Sequence, residues 1–150
     1  MGIWGTDGLT NDDALLWLAD LDAATGVQPL HRALRSVADA ADPHVEPGRA
    51  QIALADAELV AALHGYPSAS LPPAGPAWVE RLGGPRPLRG DADLELLVLA
   101  TRALDLVVTS SQLADRMSER GDAAGWRLAL DDLRMRLAAA GGMPRNPLAS

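Results

Sequence analysis

Apolar residues recur every three or four positions through most of the chain, the signature of helices that each bury one face. A helix is predicted from Thr10 or Asn11 to about Leu21, with Leu15, Leu18 and Leu21 on one stripe and Trp17 beside it. The side-chain oxygen of Thr10 or Asn11 caps its opening turn, and Asp12 and Asp13 face the positive end of its dipole. A second helix opens on Pro29 and repeats Leu30, Leu34, Val37 and Ala41 before Asp42-Pro43 ends it. A third starts near Pro47, runs through Ile52, Ala55, Leu59, Val60 and Leu63, and stops at Gly65, which suits a left-handed cap.

The stretch Pro67 to Pro76 is rich in Pro, Ser and Ala and predicts a loop, followed by a short helical turn around Trp78 to Leu82, with Trp78 pinning the loop to the core. A second loop, Gly83 to Gly90, leads into the longest helix, where Leu94, Leu97, Val98, Thr101, Leu104 and Val108 form one continuous face. A short helix carrying Leu113 and Met117 starts at Ser110 or Ser111. The last helix, Asp122 to about Ala139, has the strictest pattern, Trp126, Leu130, Leu133 and Leu137, and Gly141-Gly142 ends it.

No segment alternates with the period of two that a half-buried strand requires, although Gly2 to Thr6 can lie extended along the helices. There is no internal repeat and no linker composition. These patterns predict one all-α domain over residues 1–141 and a flexible tail over 142–150. The expected architecture is an irregular bundle of about five main helices, joined antiparallel through short connections and short helices, with the opening motif laid against one end.

A chain of 150 residues is long enough to bury about 70% of the surface its unfolded form exposes. Its net charge of -7 repels phosphate backbones, which argues against a nucleic-acid partner. All 13 basic residues are Arg, in a chain dominated by Ala and Leu, a composition expected of a GC-rich bacterial genome. The absence of Cys excludes disulfides, thiolate metal sites and a thiol nucleophile. Asp7, Asp12 and Asp13 precede or open the first apolar helix without any basic residue, the wrong charge order for a secretory signal. No apolar run approaches the ~18 residues of a membrane span, so the expected location is the cytoplasm. Gly2 and Thr6 match a loose myristoylation pattern, which in such a chain is read as chance.

Two motifs carry a resemblance. The opening Met1-Gly2-Ile3-Trp4-Gly5-Thr6, then Asn11-Asp12-Asp13-Ala14 leading into Trp17 to Leu21, resembles the start of the bacterial domain-of-unknown-function family 4259. Trp126-Arg127, followed by Asp132 to Leu137, resembles its end. The chain departs from the family pattern at Asp7, Leu9 and Thr10. The resemblance implies the helical fold and a bacterial source, and it implies no activity, cofactor or catalytic residue.

The opening motif is the leading candidate binding site, because Trp4, Thr6, Asn11, Asp12 and Asp13 gather an aromatic ring, a hydroxyl, an amide and two carboxylates at one helix start. Each also has a structural role, as cover, turn, cap or dipole partner, and the structural reading is favoured. Adjacent helical residues point about 100 degrees apart, so neither Asp12/Asp13 nor Asp131/Asp132 makes a ready bidentate site. Asp42, His44 and Glu46 can point one way if extended, which suits a divalent metal, but a polar loop explains them better. His31 and His64 lack the spacing of a helical zinc grip, and neither a serine elbow nor a phosphate loop is present.

Arg81, Arg86 and Arg89 surround the second loop and can meet an acidic group on a partner, or simply face solvent. The two Arg-Gly-Asp tripeptides, at Arg89 and Arg120, place Asp91 and Asp122 as helix caps. Pro73 to Pro76 fits a polyproline ligand in form only.

With every recognisable catalytic framework missing, the sequence points to a non-enzymatic protein-binding or regulatory module. It would need no cofactor or metal and act on another protein; an immunity protein that neutralises a toxin is one special case. The alternative is a metal-dependent or other enzyme with carboxylates of Asp12, Asp13 and Asp20 around the first helix and Trp4 shaping the pocket. Asp13 and Asp20, seven apart, share a helix face in that arrangement.

Overall fold

The computed structural model describes residues 26–39, 47–68, 74–110, 119, 121 and 123–141. Five helices lie within them: α1 (Gln28–Ala38), α2 (Pro47–Leu63), α3 (Ala74–Arg81), α4 (Gly90–Ser110) and α5 (Ala123–Ala140). No strand occurs among the described residues, and the fold is an all-α bundle. The helix predicted over 10–21, the opening motif, the short helix after Ser110 and the tail 142–150 lie outside the described residues.

Helix α2 is the centre of the bundle and touches each of the other four. Its sequence suits that place. Ala50, Ala53, Ala55, Ala57, Ala61 and Ala62 are small enough to let neighbours approach on several sides, while Leu54, Leu59, Val60 and Leu63 fill the space between them. The helix ends as its glycine foretells: Gly65 has φ +97, the Tyr66 N–H donates to the Ala61 carbonyl, and the Gly65 N–H donates to that of Ala62.

Helix α1 buries Leu30, Leu34 and Val37 and exposes Arg32, Arg35 and Ser36. It stops at Ala38, short of the expected Ala41. In its last turn the Ser36 carbonyl accepts a hydrogen bond from Arg49 Nη2 on α2 at 2.7 Å. The predicted loop before Trp78 is also corrected: α3 is helical from Ala74, with Pro76 in the first turn, where its missing N–H removes no helical hydrogen bond. Trp78 is buried, as the pinning role requires.

Helices α1 and α4 run in the same direction, tied by Arg35 to Glu95 and by Asp39 to Arg102. Helix α5 runs antiparallel to α4, since Arg134 pairs with Asp105 at one end and Gly141 packs on Leu97 at the other. Trp126, Leu130, Leu133 and Leu137 form the buried stripe of α5, as the pattern predicts.

The face expected of α4 is only half right. Leu97 and Leu104 are buried, but the rest of the core face is Leu96, Leu99, Ala100, Ala103 and Val107. Leu94 and Val98 remain 49% and 48% exposed. Apolar residues surround α4 on nearly every side, so their spacing alone does not select the face that turns inward.

Candidate functional site

The open side of α4 meets α5 in a shallow groove of about 490 Å³. Leu94, Leu97, Val98 and Thr101 line it from α4, and Leu137, Ala138 and Gly141 from α5. Arg102, Asp105 and Arg134 close one end. Gly141 lets α5 come this near: a Cβ there would sit 2.9 Å from the Leu97 Cδ2. Around the corner of α5, Leu128 is 71% exposed and Met135 52%. An apolar groove continuous with half-exposed Leu and Val is the surface type that associates with other protein.

Two polar clusters lie on the other sides of the bundle. In the first, Arg136 on α5 forms two parallel hydrogen bonds to the buried carboxylate of Glu58 on α2, each 2.9 Å. Arg136 Nε also donates to Asp132 at 2.8 Å, and its Nη1 to the Tyr66 carbonyl at 3.2 Å. Burial pushes the Glu58 carboxyl above its ordinary range, and the hydrogen bonds and charge of Arg136 offset only part of that rise. The cluster locks α5 to the end of α2, and its charges are consumed by one another.

The second cluster joins the α2 terminus to the start of α4. The Arg86 N–H donates to the Leu63 carbonyl, and the Arg86 carbonyl accepts from His64 Nδ1 at 2.8 Å. A carbonyl can only accept, so Nδ1 carries the proton of this hydrogen bond. The Arg86 guanidinium pairs with Asp93, whose carboxylate also accepts the Arg89 N–H at 2.7 Å. Burial pushes Asp93 upward, but the hydrogen bonds from Arg86 and Arg89 and the Arg86 charge outweigh it and hold the carboxyl below its usual range.

Trp4, Thr6, Asn11, Asp12 and Asp13 lie outside the described residues, as do Asp20 and the Asp42, His44, Glu46 set. Asp131 and Asp132 diverge as helical geometry requires: Asp131 turns to Arg134 and Asp132 to Arg136. His31 sits 3.4 Å from Glu95, in a surface pair between α1 and α4. Among the described residues no three His, Asp or Glu side chains gather as a metal site.

Three readings of the loop segments on either side of α3 change. Arg86 meets an acidic group of its own chain, Asp93, while Arg81 and Arg89 face solvent. Asp91 lies inside the first turn of α4, and Asp93 is the side chain that reaches back to the N–H before the helix. Pro76 is helical, which removes the polyproline reading there. Sequence reasoning missed Glu58 with Arg136, because nothing local links residues 78 apart. It missed the exposure of Leu94 and Val98 by assigning both to the core.

No curated protein and no solved structure matches the chain. No helix of the described residues is long and apolar enough to cross a membrane. A family model does match, over residues 2–129, covering the opening motif and Trp126-Arg127 and ending before Asp132. The chain belongs to the family described as Domain of unknown function (DUF4259).

Proposed function

We propose that this chain is a non-enzymatic protein-binding module of the bacterial cytoplasm, and that it binds through the groove between α4 and α5. One observation carries the reading. Leu94 and Val98 are about half exposed on one helix, above an apolar groove of about 490 Å³, while the buried carboxylates of Asp93 and Glu58 are paired within the fold with Arg86 and Arg136. Exposed aliphatic residues beside an apolar groove lose water on docking and gain contact, which favours a protein partner over a small polar substrate. The negative net charge supports a protein rather than a nucleic acid.

A photo-reactive residue introduced at Val98 in the native cell tests this directly. The expected result is one discrete cross-linked species, identified by mass spectrometry, with none from the same residue at exposed Arg32 on α1. No product at Val98, or the same smear from both sites, contradicts the proposal.

A further inference from the structure

Resting on that docking face, we infer that its occupant is a second copy of this chain, paired through α4 in antiparallel fashion. Asp91, Leu94, Val98, Thr101 and Asp105 follow one another at spacings of three, four, three and four. That is the repeat of a helix seam that packs against another helix. In this molecule the seam points outward: Asp91 is exposed, Leu94 and Val98 are half exposed, and the Asp105 side chain is 54% exposed.

The charges along the seam select one pairing. A parallel two-fold pair sets Asp91 against Asp91 and Asp105 against Asp105, which repels at both ends. An antiparallel pair with Leu94 opposite the partner's Val98 does the reverse. It brings Asp91 within about one residue's 1.5 Å rise of the partner's Arg102. Two-fold symmetry repeats each contact, giving two apolar pairs flanked by two ion pairs. Arg102 is free to turn outward, since its pair with Asp39 is 3.8 Å long between side chains more than half exposed. A contact about four turns long is at the small end of stable interfaces, so the dimer forms reversibly with concentration.

Sedimentation velocity of the full chain over a concentration series is the test. The mass is expected to rise from the monomer's 15.7 kDa toward twice that value. Val98→Glu is expected to stay monomeric. Asp91→Lys and Arg102→Glu are each expected to weaken the dimer by about tenfold or more. The Asp91→Lys/Arg102→Glu double variant is expected to restore it, an outcome that unfolding does not mimic. Circular dichroism melts of each variant keep loss of association separate from loss of fold.

A monomer at every concentration overturns the inference, whether the face is then taken by another protein or by residues 142–150 of the same chain. A Val98 cross-link to a different protein would mark the former and leave the protein-binding proposal standing. A dimer that survives Val98→Glu, or that ignores the charge exchange, also overturns it.

Discussion

Helices α2 and α4 draw on the same stock of Leu, Val and Ala, yet α2 is buried on almost every side and α4 keeps one side open. Position in the bundle makes the difference. α2 is surrounded by four helices and draws Asp56 and Glu58 into the interior with it, whereas α4 packs on α2 with α1 on one flank and α5 on the other, leaving its outer side with Leu94 and Val98 half exposed. Apolar content therefore does not say whether a helix serves the core or a surface. What separates them is the side chains that cannot be buried unpaired.

The largest expected contrast is between matched truncations. Leu59→Ala in α2 is expected to destabilise by roughly 2 to 5 kcal/mol, since its cavity is enclosed. Leu94→Ala in α4 is expected to lose less than about 1 kcal/mol in the same urea melts. Equal losses would erase the distinction between the two helices.

Arg136→Ala should come close behind, at about 3 to 5 kcal/mol, because it strands the Glu58 carboxylate in the interior. Its pH dependence gives the sign. Glu58 is raised in the fold, so its contribution is fully present below its unfolded value near 4.5 and is lost as pH rises through the folded value. The variant should therefore recover stability on acidification, and melts that are flat with pH would show that Glu58 finds another partner.

Asp93→Asn should lose about 1 to 3 kcal/mol at neutral pH, as the charged hydrogen bonds to Arg86 and Arg89 weaken. Here the window reverses. Asp93 is lowered in the fold, so its contribution is present above its unfolded value near 3.8 and is lost as pH falls through the folded value. The variant and its parent should converge in acid, and a gap that persists there would assign the loss to packing.

Much of the fold was legible in the chain. The ends of α2, the stripe of α5 and the burial of Trp78 all follow from local rules: a glycine cap, a strict three-and-four repeat, and an aromatic ring beside a loop. The end of α1 at Ala38 was not legible, because the apolar spacing that marks the helix continues to Ala41. The α4 face was legible from a different signal than its apolar spacing. Asp91, Glu95, Arg102 and Asp105 all lie on one side of the helix, which places Leu96, Ala100, Ala103 and Val107 on the other. Asp93 breaks that pattern, and it is the one carboxylate of α4 that Arg86 neutralises inside the fold. The groove was not legible, because it depends on how α4 and α5 meet, and the polar opening motif that the sequence put forward lies outside the described residues.

The smallest expected effect on stability carries the largest on function. Val98→Glu, followed by thermal melting and by association in the same preparation, is the most direct test of the α4 face as a docking surface. The melting curve should stay within about 0.5 kcal/mol of the parent, as for a surface substitution, while self-association disappears. Association that persists in Val98→Glu, or that falls only in step with the folded fraction, would contradict the account.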